Sequence, residues 1–209
     1  MIIAIDGTAA SGKGTLAKRL ADHFDLPYLD TGTLYRAVGV KVLRSGKDPA
    51  DPGAAIAAAE SLAEADRDHK GLRTHQAGMA ASRVSAIPAV REALIALQRT
   101  FAHQPGGAVL DGRDIGTVIC PGADAKFFVT ASPEVRAARR SKELAANGEA
   151  VSMAELLAEI NARDHRDMNR ATAPLKPAPD SVRLDTTDLT VEAMVMTALS
   201  ALRQKGFER

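Results

Sequence analysis

Aromatic residues make up only 3% of the 209-residue chain, and tryptophan is absent. The core must therefore be built from Ala, Val, Ile and Leu, which a hydrophobic fraction of 45% supplies. An excess of either charge is also missing, since 27 basic residues face 26 acidic ones. Sequence-independent nucleic-acid binding needs surplus positive charge, so no nucleic-acid partner is expected. Cys120 is the single cysteine, which excludes an intramolecular disulfide. His23, His69, His75, His103 and His165 are scattered, and no Cys/His cluster has zinc-like spacing. No run approaches the ~20 apolar residues of a membrane span. The apolar start Met1–Ile5 meets Asp6 too soon for a signal peptide. The expectation is a cytoplasmic protein with no membrane partner, monomeric by default, with one domain at this length.

What is present alternates between short apolar runs and longer helical patterns. Strands are predicted at Ile2–Asp6, Leu26–Leu29, Ala108–Asp111, Lys126–Thr130 and Val182–Asp185. Helices are predicted over Lys13–Phe24, Leu34–Leu43, Ala54–Ala65 and Val191–Lys205, and over Ala77–Ala102 with a break near Pro88. Gly46 is a helix stop. The segment 47–53 reads as a loop and 66–73 as a polar linker. Ser132-Pro133 offers a hydroxyl cap followed by a proline at the first turn. Ser152-x-x-Glu155 is a capping box, and Gly148 separates two charged helices. Strand–helix alternation implies an α/β fold: a mainly parallel sheet with helices on both faces. Ligands of such sheets lie at the carboxyl ends of the strands.

The first strand runs into Gly7-Thr8-Ala9-Ala10-Ser11-Gly12-Lys13-Gly14-Thr15 and then a helix. Gly7-x4-Gly12-Lys13 is the core of a phosphate-binding loop. Glycines let the backbone wrap so that several N–H groups face phosphate oxygens. The helix adds its positive N-terminal end, and Lys13 adds a compact charge for the β- and γ-phosphates. The strict pattern has Ser or Thr directly after the lysine to hold Mg2+. Here Gly14 intervenes, so Thr15 is a loop residue whose hold on the metal would run through water.

Further segments narrow the picture. Leu29-Asp30-Thr31-Gly32-Thr33-Leu34-Tyr35-Arg36 follows the second strand. Ala81-Ser82-Arg83-Val84, Val90-Arg91 and Leu97-Gln98-Arg99 come next, then Asp111-Gly112-Arg113-Asp114-Ile115-Gly116-Thr117. Arg163-Asp164-His165-Arg166-Asp167-Met168-Asn169-Arg170, Ala173-Pro174-Leu175 and Leu184-Asp185-Thr186 complete the set. In this order and spacing the chain resembles the bacterial cytidylate kinases, a branch of the nucleoside monophosphate kinases, from residue 2 to about residue 197.

The resemblance implies transfer of the γ-phosphoryl of ATP, with Mg2+, to CMP or dCMP. It implies that Arg36, Arg113 and Arg170 grip the acceptor phosphate. It also implies that Thr31, Arg91 and Asp114 touch the cytosine, and that Ser82, Arg163 and Asp167 touch the sugar. Lys13, Arg113 and Arg170 would then be the catalytic cations. Chemistry agrees, because a guanidinium fork suits a phosphate and a carboxylate accepts from the cytosine N4 amine. Asp111 or Asp30 is expected to organise magnesium through water.

Residues 134–170, rich in both charges, read as a lid that excludes water. The core is expected at about 1–50, 104–133 and 171–209, with the acceptor-binding part at about 51–103. The family often carries a β-rich insert before Leu72-Arg73-Thr74. Here only Asp66–Gly71 stands there, so a shortened acceptor subdomain is expected.

Blander alternatives stand beside these. Arg136, Arg139, Arg140 and Arg166 equally suit a solvated helix face, with pairs such as Arg139–Glu143. Tyr35 reads as a packing residue, Leu97-Gln98-Arg99 as plain helix, and Cys120 as buried and inert. A kinase of another small acceptor such as UMP or shikimate is one alternative function. A catalytically silent nucleotide-binding switch is the other.

Overall fold

The computed structural model describes residues 1–67 and 70–208. Asp68 and His69, in the stretch read as a linker, lie outside them. Strand β1 (Ile2–Gly7) leads through the phosphate loop into α1 (Lys13–Phe24), and β2 (Tyr28–Asp30) runs directly into α2 (Thr31–Arg44). Helices α3 (Pro52–Glu60), α4 (Glu64–Arg67), α5 (His75–Val84) and α6 (Pro88–Ala102) follow, with a 3-10 turn at Lys70–Arg73 ahead of α5. Next come β3 (Ala108–Gly112), a π-helical turn at Ile115–Ile119, and β4 (Ala125–Thr130). Helices α7 (Pro133–Ala146) and α8 (Met153–Asn169) pack as a hairpin, before β5 (Val182–Asp185) and α9 (Val191–Gln204).

The strands form one sheet in the order β2-β3-β1-β4-β5, and every pairing is parallel. Side chains alternate across β1 with a period of two. Ile3 and Ile5 pack with Leu16, Leu20, Phe127 and Leu202 beneath α1 and α9. Ala4 faces the other way, toward Leu110, Ile115 and Ala102. Burial on both faces is what makes the central strands continuously apolar. A third cluster joins α2, α3 and α6 through Leu34, Val38, Ala55 and Leu94, and a fourth joins α7 to α8 through Leu144 and Leu156.

Several boundaries differ from the sequence expectation for local reasons. Strand β2 starts at Tyr28, because Pro27 has no N–H and enters the sheet only through its carbonyl, which accepts from Val109 N at 2.8 Å. Helix α2 begins at Thr31, ahead of its first buried apolar residue, Leu34. Helix α3 begins at Pro52, since Asp51 accepts from the N–H groups of Gly53 and Ala54 and the proline takes the first turn. It stops at Glu60, where Ser61 Oγ turns back to the Ala57 carbonyl. The expected helix to Ala65 is thus two pieces. The caps at Ser132 and the Ser152–Glu155 box form as predicted. Between residues 51 and 103 the described residues hold helices and turns and no strand.

Candidate functional site

Three of the sheet's carboxyl ends converge on the phosphate loop. Gly7 ends β1 so close to β4 that a Cβ would lie 2.0 Å from the Val129 carbonyl oxygen. Gly12 caps α1 at φ 92°, and Ala10 also lies in the left-handed region at φ 57°. A left-handed alanine is strained, and such strain collects at ligand clamps. The two turns point successive N–H groups inward and make an anion nest. Thr8 Oγ1 and Ser11 Oγ are buried there with no hydrogen-bond partner among the described residues. Such orphaned hydroxyls fit phosphate oxygens.

Lys13 Nζ lies 3.5 Å from the Thr8 carbonyl oxygen and 3.8 Å from an Asp111 carboxylate oxygen. Burial, then the nearby Arg113 charge, lower its pKa. Asp111 accepts from the Tyr28 hydroxyl at 2.7 Å, and burial followed by the Asp30 carboxylate raises its pKa. The cleft above holds about 540 Å³ and is lined by Lys13, Thr15, Asp30, Arg36, Arg113, Arg139 and Arg163. Burial, then Arg113, push Arg163 down to about 10. Cations held this close to one another are destabilising until an anion joins them.

Beside the cleft, Arg91 is hydrogen-bonded to Asp114, and Arg170 Nη2 stands 3.6 Å from the other Asp114 oxygen. The Arg91 guanidinium lies 5.8 Å from the centre of the Tyr35 ring, a cation–π distance. Arg113 Nε donates to Asp167 at 3.0 Å, and Arg163 Nε is 3.8 Å from the same oxygen. Thr31 Oγ1 donates to the Asp111 carbonyl at 2.8 Å, and Ser82 Oγ accepts from Arg166 at 3.0 Å. Arg36 lies 4.0 Å from Asp30.

The structure thus joins Arg91, Asp114 and Arg170 in one network and Arg113, Asp167 and Arg163 in another. Thr31, Ser82, Arg91, Asp114 and Asp167 are buried beside the large cleft and do not line its wall. Arg163 Nε and Arg170 Nη2 are buried without a hydrogen bond among the described residues, although each lies in ion-pair range of a carboxylate. A carboxylate offers about four lone-pair positions, so Asp114 keeps room for another donor. Thr15 is exposed on the first turn of α1, at the cleft.

Of the arginines with two open readings, Arg136 and Arg139 turn inward, while Arg166 is exposed and Arg140 keeps a helix-face pair. Arg139 donates to Thr186 Oγ1 and to the Thr186 carbonyl, so Glu143 pairs with Arg140 at 2.8 Å instead. Arg136 is buried and doubly bonded to Asp164. His75 Nε2 meets Glu159 at 2.8 Å, linking α5 to α8.

Asp6 escaped the sequence reading. It is buried at the end of β1, and its carboxylate accepts from the N–H groups of Ile115 at 2.7 Å and Gly116 at 2.8 Å. The only signal was an acid inside an apolar run. Burial raises its pKa to about 7, against the two N–H groups that lower it. Between its ordinary value of 3.8 and about 7, folded Asp6 keeps a proton that the unfolded chain has released. Its contribution to stability therefore falls as pH rises across that window. The unliganded protein should lose about 1–3 kcal/mol between mildly acidic and mildly alkaline pH. Urea unfolding at both pH values checks this, and Asp6→Asn should shrink the difference to the part that the raised Asp111 carboxyl contributes.

Carboxyl ends of a parallel sheet, a glycine-rich loop opening a helix, and a ring of cations able to receive several phosphates place the molecule among the P-loop kinases. Within that class the chain belongs to the cytidylate kinase family, whose model matches residues 3–204. The cytidylate kinase of Methylocella silvestris is 62% identical, covering 95% of this chain and 92% of that protein. Those of Cereibacter sphaeroides and Bradyrhizobium diazoefficiens are 58% and 56% identical, over 96% and 97% of this chain and 94% and 95% of those proteins. Among solved structures, a gluconokinase from Sinorhizobium meliloti aligns with a TM-score of 0.52 at 16% identity, over 97% of this chain and 91% of that one. An uncharacterized protein from Eubacterium ventriosum aligns at 0.53 and 15%, over 97% and 98%. These last two show the fold alone.

Proposed function

We propose that the protein transfers the γ-phosphoryl group of ATP, bound with Mg2+, to CMP or dCMP, giving CDP or dCDP and ADP. The strongest support is the buried Asp114 carboxylate held between Arg91 and Arg170 beside the cation ring. Cytosine presents an amine where uracil presents a carbonyl. An acceptor-only carboxylate suits the first and repels the second. Thr31 and Arg91 complete the base site, and Ser82, Arg163 and Asp167 the sugar site.

In the reaction an oxygen of the acceptor phosphate bonds to the γ-phosphorus while the bond from that phosphorus to the β–γ bridging oxygen breaks. The acceptor oxygen is already nucleophilic, so no strong protein base is required. Positioning and charge stabilisation dominate phosphoryl transfer. Lys13 and the nest of loop N–H groups hold the donor phosphates, and Arg36, Arg113 and Arg170 hold the acceptor phosphate. Arg170 Nη2, which makes no hydrogen bond among the described residues, is the donor proposed for those oxygens.

Among the described residues no group of three or more His, Cys, Asp or Glu could hold a metal alone. Mg2+ keeps several waters and rides on nucleotide phosphates, which fits Thr15, Asp111 and Asp30 as holders through water. The ion supplies charge neutralisation on the phosphates. Residues 134–170 act as the lid over a core at about 1–50, 104–133 and 171–209. Residues 51–103 form the acceptor-binding part. No helix among the described residues is long and apolar enough to cross a membrane. We place the enzyme in the cytoplasm as a monomer, with no nucleic-acid or membrane partner.

Coupled ADP release with CMP, dCMP, UMP, AMP and shikimate tests the assignment. CMP and dCMP should turn over well and UMP poorly. Asp114→Ala should lower the CMP-over-UMP preference by about tenfold or more, the effect of removing a buried acceptor. ATP binding without ADP release for any acceptor would instead mark a silent switch.

A further inference from the structure

The phosphate ring and the base site leave Asp6 without a part in the reaction. It is 4% exposed, and it stands opposite Gly112 in the β1–β3 register, two residues before Asp114. Its two oxygens accept from Ile115 N and Gly116 N, the N–H groups that open the π turn immediately after Asp114. The far end of that turn is also held. From α6, Arg99 Nη2 donates to the Val118 carbonyl at 3.0 Å and Nε to the Ile119 carbonyl at 3.3 Å. The same helix carries Arg91, the hydrogen-bond partner of Asp114.

The backbone in between is unusual. π turns are rare and collect at functional sites. Asp114 adopts φ −146°, ψ 25°, which belongs to neither helix nor strand. Its direction is therefore set by what fixes the residues after it. The packing there is close: a Cβ on Gly116 would sit 3.1 Å from the Lys126 side chain and 3.4 Å from an Asp6 oxygen. The carboxylate is also specific to the task. Once ionised it accepts at both oxygens, whereas a side-chain amide accepts at one and turns its own N–H groups toward the other donor.

The geometry points to Asp6 and Arg99 as positioning residues that clamp the π turn from both ends and so aim the Asp114 carboxylate at the acceptor base. Base selectivity is then set in part by two side chains that never touch the substrate. This rests on the assignment of Asp114 to the cytosine amine.

The test compares kcat/KM for CMP and UMP, and KM for ATP, in wild type, Asp6→Asn and Arg99→Met. Arg99 is exposed, so its variant folds even where Asp6→Asn does not. Hydrogen exchange at residues 115–120 is read alongside. Asp6→Asn should lower the CMP-over-UMP ratio by about tenfold, because a buried N–H then faces an amide N–H, and Arg99→Met by about threefold, because its two bonds lie nearer solvent and cost less to lose. Exchange should quicken in the turn while KM for ATP stays unchanged. Wild-type ratios in both variants overturn the positioning role. So does a rise in KM for ATP as large as that for CMP, since Asp6 would then act on the phosphate loop it precedes. A wild type that takes UMP as readily as CMP is a separate outcome: it removes the base assignment itself, and this proposal with it.

Discussion

Lys13→Gln should lower kcat by about 10²–10³, the range seen when one preorganised donor to a developing negative charge is removed. Lys13 is the first residue of α1, with a side chain only 13% exposed. Its ammonium therefore sits where the nest N–H groups and the helix end already favour an anion. The charges on the β- and γ-phosphates change during transfer, so the loss should fall on kcat more than on ATP binding, which the nest retains. Stability should move the other way. Burial and Arg113 disfavour the Lys13 charge in the unliganded protein, so the variant should melt at an unchanged or higher temperature. Steady-state kinetics, nucleotide titration and a thermal melt together check this. A folded variant with wild-type kcat would show that the helix end and the nest alone carry the γ-phosphate.

The phosphate loop was legible because its signal is local. Strand, Gly7, Gly12, Lys13 and helix follow one another without a long-range partner, and α1 forms over the predicted residues. The caps at Asp51, Ser132 and Ser152 act within three residues, although the two prolines around Asp51 make its segment resemble a loop. Arg163 and Asp167 stand four residues apart on one face of α8, so their pairing follows from helical spacing, whereas Arg170 caps the helix in an extended conformation and reaches Asp114 instead. What escaped depends on tertiary closure. Asp6 finds its partners across 109 and 110 residues. Arg139 bonds Thr186 across 47 residues and so abandons the Glu143 pairing that helical spacing suggests. The π turn has no periodicity of its own. Its ends are bonded by Asp6 and Arg99, and neither contact is visible in the segment itself. The resemblance supplied the residues proposed for the base and sugar sites. It did not indicate that Thr31, Ser82 and Asp167 would be buried and already bonded to the protein.

Arg113 carries the other large effect. Its guanidinium lines the cleft with Lys13 and Arg163 and donates to Asp167 at 3.0 Å. Two lines of influence meet there, since Arg113 is second only to burial in lowering the pKa of both Lys13 and Arg163. Like charges are held together by the fold at that point, and an incoming phosphate is what makes the arrangement favourable. Arg113→Gln should therefore lower kcat by about 10³, the lower end of what a transition-state arginine contributes in phosphoryl transfer. Arg113→Lys separates the two properties of the side chain. It keeps the charge but loses the planar fork, so it should recover only part of the loss. Asp167 supplies an internal gauge. Burial pushes its carboxyl up, yet Arg113, then Arg163, hold it below its ordinary value. Without Arg113 that hold weakens, and the acid limb of the rate profile should move to higher pH in Arg113→Gln and much less in Arg113→Lys. Rates of both variants across the acid range give the answer. Full recovery by lysine would mean that charge at this position suffices and that the fork geometry plays no part in holding the acceptor phosphate.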